Sequence, residues 1–159
     1  MAATSDTGRP VLIAYDGSDQ AKGAIAEAGR VLGGRRRAVV LTVREPIESY
    51  DFAGLGGATT LDPATVSAMQ ESAQNEATVV AEEGAALARE AGFLAEARVE
   101  VGPTPWQEIV AVGDQLDADA IVIGSRGRTG LTKVLLGSVA SAVAQHSGRS
   151  VLIVHPATA

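Results

Sequence analysis

The sequence predicts an α/β fold: a single domain built on a five-stranded parallel sheet in the order 3-2-1-4-5, with helices on both faces. Three observations lead there. Short, almost wholly apolar runs recur along the chain, as expected of strands covered on both sides. Between them, apolar residues return at steps of three and four, the period of a helix with one buried face. The length of 159 residues is that of a chain with one core. Strands separated by helices run parallel and are joined by right-handed crossovers.

The elements follow in order. Val11 to Tyr15 is an apolar strand. The turn Asp16-Gly17-Ser18 leads into a helix carrying Ala21, Ala24, Ile25, Ala28, Val31 and Leu32 on one face. After Gly33-Gly34 and Arg35-Arg36-Arg37, Ala38 to Val43 forms the second strand. A glycine-rich loop from Glu45 to Asp62 is long for a compact domain, and its Gly54 to Gly57 tip reads as a mobile loop or a lid. From Pro63 to about Ala91, a long helix presents a seam of small residues, and Gly92 stops it. Leu94 to Val101 is the third strand. Thr104 and Gln107 have the spacing of a capping box, with Pro105 as the first residue of the next helix and Trp106 packing at its start. Ala120 to Ile123 is the fourth strand, Ser138 to Gln145 the last helix, and Val151 to Val154 the fifth strand. Residues 1–8 read as a flexible tail and 9–159 as the domain.

Composition narrows the possible roles. With 46% apolar and 20% charged residues, the chain has too much hydrophobic material for a disordered segment. No apolar run reaches the 18 or more residues of a membrane span. The amino terminus shows no signal-peptide pattern, and zero cysteines exclude disulfides and thiolate chemistry, which fits a cytoplasmic location. A net charge of −6 disfavours nucleic acid and acidic membranes as partners. The arginine run at 35–37 is most simply a solvated turn.

One stretch breaks the ordinary pattern. Gly124, Gly127, Gly130 and Gly137 follow the fourth strand, although a glycine in regular structure costs about 0.5–1 kcal/mol relative to alanine. In the order 3-2-1-4-5 the winding reverses between the first and fourth strands, and ligands bind at the carboxyl ends beside that crevice. The Asp16-Gly17-Ser18 turn and the glycine stretch meet there. Bare backbone can turn several N–H groups toward one anion, and a following helix adds its positive end, so phosphate is the expected guest. Gly137 and Ser138 would supply an amide and a hydroxyl, with Arg126 and Arg128 offsetting charge and Lys133 nearby. Each helix-end contribution is only about 0.3–1 kcal/mol when exposed, so several donors must act together.

Familiar motifs do not account for the stretch. Gly130 is followed by Leu131 rather than the Gly-Lys of a Walker loop, and Asp16-Gly17-Ser18-Asp19-Gln20-Ala21 stands where a dinucleotide fingerprint would need G-x-G-x-x-G. No G-x-S-x-G elbow is present, and His146 and His155 have no acid and serine arranged with them. No catalytic residue is assigned.

Gly124-x2-Gly127-x9-Gly137-Ser138 resembles the G-x2-G-x9-G-S/T signature of the ATP-binding branch of the universal stress protein family. V-G-P-T-P-W-Q-E-I-V and S-V-L-I-V-H-P are also similar to family segments, so the resemblance runs from Arg9 to Pro156. It implies a Rossmann-like domain holding ATP in the crevice, commonly as a homodimer paired through the last strand, here Val151 to Val154. It places Ala14 and Asp16 at the nucleoside and metal-phosphate end, with Asp16 toward Mg2+, and Val43 where backbone recognises adenine. Ile123, Gly124, Arg126, Gly127, Gly137, Ser138 and Val139 fall on the phosphate and ribose segment. Tyr15 departs from the small residue the family often has before that aspartate.

Plainer readings stand beside these. Asp16 or Ser138 could cap a helix, Gly124 and Gly127 could be turn residues, and Gly130 could only shape the loop. The functional expectation is a nucleotide-dependent regulatory or stress-response module with an unidentified protein partner, and at most a slow or partner-dependent ATPase. One rival is a phosphoryl- or nucleotidyl-transferring enzyme whose second substrate enters beneath the Glu45 to Asp62 loop. The other is a stress-related dimer that acts through protein contacts without nucleotide.

Overall fold

Val11–Ala14 (β1) is buried along its whole length and forms the centre of the sheet. The computed structural model describes residues 8–47, 61–127 and 136–157. Most of the expected tail, the interior of the long loop including Gly54 to Gly57, and Arg128, Gly130 and Lys133 lie outside the described residues. β1 pairs in parallel with β2 (Arg37–Arg44) on one side and β4 (Ala120–Gly124) on the other. β3 (Leu94–Val101) lies outside β2, and β5 (Ser150–Val154) outside β4. The order is therefore β3-β2-β1-β4-β5, as the alternation of strands and helices predicts.

Strand alternation divides the core in two. Val11, Ile13 and Tyr15 face α1 (Asp19–Leu32) and α2 (Pro63–Glu90), where they meet Ile25, Ala85 and Ala88. Leu12 and Ala14 face α3 (Pro105–Gln115) and α4 (Ser138–His146), where they meet Ile109, Val112 and Val143. Fully burying one such aliphatic side chain contributes about 1.5–3 kcal/mol. The two-residue period of a single strand thus fixes both layers of helices.

Helix ends correct several readings. Ser18, not Asp16, is the N-cap of α1, and its hydroxyl accepts from the Ala21 N–H at 3.2 Å. Thr104 occupies the N-cap position of α3, but its side chain makes no capping hydrogen bond, so the expected capping box is not formed. Gly137 is the N-cap of α4, and Ser138 is the first helical residue. Trp106 packs at the start of α3 as expected, stacked on His146 with ring centroids 4.6 Å apart.

At the opposite end of the sheet from these carboxyl-end turns, Arg36 bonds Asp119 while Arg35 and Arg37 are exposed, as suits a solvated turn. Arg149 bonds Asp114 and Asp117, both at 2.9 Å, and ties the α3–β4 turn to the start of β5. No helix among the described residues is long and apolar enough to cross a membrane.

Candidate functional site

The carboxyl ends of β1, β2 and β4 and the amino end of α4 enclose a cleft of about 430 Å³. Ala14 contributes from β1 and Val43 from β2. Ile123 and Gly124 end β4, and Arg126 and Gly127 follow in the turn. Gly137, Ser138 and Val139 arrive with α4. Together with Asp16, the ten residues that the resemblance places at the nucleotide all line this one cleft. The winding reversal brings them together, because β1 and β4 are neighbours whose following helices leave on opposite faces.

The glycines act through the space they leave. Their backbone is not left-handed: Gly137 has φ −60° and ψ 157°, and positive φ among described glycines is confined to 17, 33, 34 and 92. A Cβ at Gly127 would stand 3.0 Å from Asp16 Oδ2, and one at Gly137 would stand 3.1 Å from the Ser125 carbonyl oxygen. At Gly124 it would meet the Gln20 and Arg126 carbonyl oxygens at 3.3 Å. Side chains here would push apart the β1 turn, the β4 turn and α4.

Asp16 organises the first of these turns. Its Oδ1 accepts from the Ser18 N–H at 3.0 Å and from the Ser18 hydroxyl at 2.6 Å, while Gly17 turns the chain at φ 80°. The carboxylate is half-buried at the cleft. In the second turn, the Gly137 N–H donates to the Ser125 carbonyl at 2.7 Å, which seats the start of α4 against the end of β4. The N-cap of α4 is a glycine and brings no side chain, and the first residues of the helix line the cleft with the positive end of its dipole.

The opposite wall is apolar. Leu41, Val43, Ile109 and Ile123, with Pro105, line it. Leu41, Pro105 and Ile109 carry no sequence signal of a site, since an apolar strand or helix face looks the same whether it borders a core or a cavity. The signal available was topological: α3 precedes β4 and covers the face on which the cleft opens. Ser125, which lies between Gly124 and Gly127, also lines the cleft and carries no sequence signal of its own.

Tyr15 keeps its side chain out of the cleft. Only its backbone borders the cavity side, with its carbonyl accepting from Thr42 Oγ1 at 2.9 Å, and the ring packs into the core with α1 and α2. Burial, with the Glu83 carboxylate nearby, pushes the phenol up to about 12. The departure at this position therefore alters the helix layer behind the sheet.

The model of the universal stress protein family matches residues 8–155. The chain belongs to that family. The universal stress protein Sll1388 of Synechocystis sp. is 33% identical over 150 residues, 91% of this chain and 96% of that protein. The universal stress protein MJ0577 of Methanocaldococcus jannaschii is 40% identical over 63 residues, a segment spanning 40% of this chain and 38% of the relative. A solved structure of MJ0577 shares the fold with a TM-score of 0.73 at 24% identity, covering 95% of this chain and 98% of that one. A universal stress protein solved in complex with cAMP is 26% identical with a TM-score of 0.61, covering 92% of this chain and 96% of that one. The Archaeoglobus fulgidus universal stress protein solved with dAMP is also 26% identical, with a TM-score of 0.53, covering 92% of this chain and 97% of that one.

Proposed function

We propose that this universal stress protein binds ATP with Mg2+ in the cleft between β1 and β4 and serves as a nucleotide-dependent regulatory module of a stress response. The observation that carries the reading is the pairing of an apolar wall with the amino end of α4, begun by Gly137, across one cavity. A base and ribose suit the first, and phosphates suit the second. Relatives of this fold crystallised with cAMP and dAMP support an adenine nucleotide as the ligand class.

In this reading, Ala14 and Val43 border the nucleoside, and Ile123 borders the ribose. Gly124, Arg126, Gly127, Gly137, Ser138 and Val139 border the ribose and phosphates. Among the described residues, no three His, Asp or Glu side chains group as a metal cage. The fit for Mg2+ is a single carboxylate, Asp16, with the remaining ligands from phosphate and water, a common arrangement for this ion. The ion would offset phosphate charge. Binding is the proposed role, with any hydrolysis slow or dependent on a partner protein.

The reading includes a cytoplasmic homodimer. The sheet has two edges of different character: β3 carries Glu96, Arg98 and Glu100, whereas β5 reads Ser-Val-Leu-Ile-Val without charge. Charged edge strands resist pairing and uncharged apolar ones invite it, so β5 is the edge proposed to meet a second copy.

Mass analysis of small molecules released from the purified, denatured protein tests the ligand, together with calorimetry of ATP in magnesium. Stoichiometric adenine nucleotide, or heat of binding at micromolar to millimolar ATP, is the expected result. A silent titration with no released nucleotide would remove the proposal, and rapid release of ADP or AMP on mixing would favour the enzyme rival.

A further inference from the structure

We infer that the flank of α1 is a second part of the homodimer interface, docking antiparallel against α1 of the other copy with Gly23 at the closest approach; this rests on the homodimer reading above. Beside β5, α1 leaves a groove of about 810 Å³, walled by Asp19, Gly23, Ala26, Glu27 and Arg30 and floored by Leu152 and Val154. Those α1 positions recur at three- and four-residue steps, so they form one stripe along the helix. Gly23 stands in the middle of it. Among the glycines inside described helices, Gly29, Gly84 and Gly113 each have an atom 3.0 Å or less from where a Cβ would stand, whereas at Gly23 nothing lies within 4 Å. A helix-interior glycine costs about 1 kcal/mol relative to alanine, and the single chain offers no close contact that explains this one.

Edge pairing alone makes a small contact. The five residues of β5, at about 3.3 Å each across a sheet roughly 10 Å deep, present about 170 Å², against the roughly 800 Å² per partner of a stable interface. Pairing β5 with itself through a two-fold axis runs the strands antiparallel and keeps like faces of the two sheets on the same side. The α1 helices of the two copies then face each other, also antiparallel. Because α1 packs with Val122 of β4 and with Leu152 and Val154 of β5, it lies above those strands. The two helices are therefore two to three strand spacings apart, roughly 10–14 Å, near the distance of about 8–10 Å at which helices pack. The other face of β5 is packed by α4, where Val151 and Ile153 meet Val143. The α1 stripe is also self-complementary, with an acid at Asp19, a base at Arg30, and Gly23 and Ala26 between them. Asp19 and Gly23 are four residues apart, as are Ala26 and Arg30, so the register that sets Asp19 against Arg30 of the other copy also sets Gly23 against its Ala26. Small residues meet where the helices are nearest, and opposite charges meet at both ends. Arg30 is 71% exposed beside Glu27, and its guanidinium has donors to spare for a second carboxylate.

The test is sedimentation of Asp19→Arg and Arg30→Glu over a concentration series, each alone and the two mixed in equal amounts, at low salt where such charges are least screened. Alone, each variant sets like charges against each other at both ends of the contact, and self-association should weaken at least about tenfold from wild type. In the mixture, each introduced charge meets its opposite at one end while a native Asp19–Arg30 pair forms at the other, so a heterodimer should form with affinity within about threefold of wild type. Recovery on mixing also shows that both variants are folded. Gly23→Leu, whose side chain has room in a single chain, should weaken association at least about tenfold with an unchanged circular dichroism spectrum. A wild-type dimer that all three variants leave intact overturns the inference while the β5 edge stands, and loss without recovery on mixing overturns it as well. A wild type that stays monomeric at high micromolar concentration removes the homodimer reading, and the role of α1 falls with it.

Discussion

The ring of Tyr15 fills the space that a side chain at Gly84 would need: a Cβ there would stand 2.6 Å from Tyr15 Cδ1 and 2.8 Å from Cγ. This contact explains a glycine deep within α2, where its intrinsic cost is close to 1 kcal/mol relative to alanine. The missing Cβ lets the helix settle onto the aromatic ring and onto Val40. Gly84→Ala therefore sets a propensity gain of about 1 kcal/mol against overpacking that costs typically 1–3 kcal/mol. Neither the ring nor β2 has room to retreat, so the expected outcome is a lower urea midpoint. An equal or higher midpoint would show that the contact yields easily.

The same tyrosine predicts an alkaline weakness. In the unfolded chain its phenol ionises near 10, whereas the folded protein holds the proton to about 12. Between those values the unfolded state loses a proton that the folded state keeps. The stabilising contribution is thus complete below pH 10 and declines as pH rises toward 12, by at most about 1.4 kcal/mol per pH unit. Tyr15→Phe should flatten that decline, because the ring keeps its place in the core and carries no titrating hydroxyl. Urea midpoints at pH 8, 10 and 11 give the comparison, and parallel curves for the two proteins would refute it.

Strand order and the crevice were legible because they follow from coarse signals. Apolar runs such as Val11 to Ala14 admit only buried strands, and their alternation with helices leaves few topologies. Glycine spacing located the two turns for a related reason, since a costly residue repeated in one place signals a close approach of backbone. Cap chemistry was harder to read. Asp16 and Ser18 are both good capping residues, and only the three-dimensional turn shows that Asp16 binds Ser18 while Ser18 caps α1. Thr104 and Gln107 have the letters of a capping box without the bond. Contacts between distant elements, such as Tyr15 with Gly84, leave no local trace in sequence at all.

Substitution at the cleft glycines should separate binding from folding. Gly127→Val brings bulk against the Asp16 carboxylate, and Gly137→Val brings it against the Ser125 carbonyl at the start of α4. Both positions lie at the ends of elements, so the helical signal in far-UV circular dichroism should change little. Under the proposed function, the double variant should lose ATP retention by at least about tenfold, which corresponds to 1.4 kcal/mol. Normal affinity in a folded double variant would place the ligand elsewhere.

The proposed dimer turns on β5. Leu152 stands opposite Val122 in the sheet register, beside the core shared with α1, and is only half-buried in the single chain. A carboxylate introduced at this edge would have to be desolvated when a second strand docks, and two-fold pairing would bring two such charges close together. Leu152→Glu should accordingly move the protein from dimer to monomer in sedimentation, with the affinity of association reduced at least about tenfold. Because Leu152 also touches the core, the circular dichroism spectrum and a concentration series must accompany the measurement. A folded variant that remains dimeric at micromolar concentration would exclude this edge as the interface. A charge placed instead at Glu96 on β3, through Glu96→Lys, should leave assembly unchanged, since that edge already carries alternating charge and has no part in the proposed pairing.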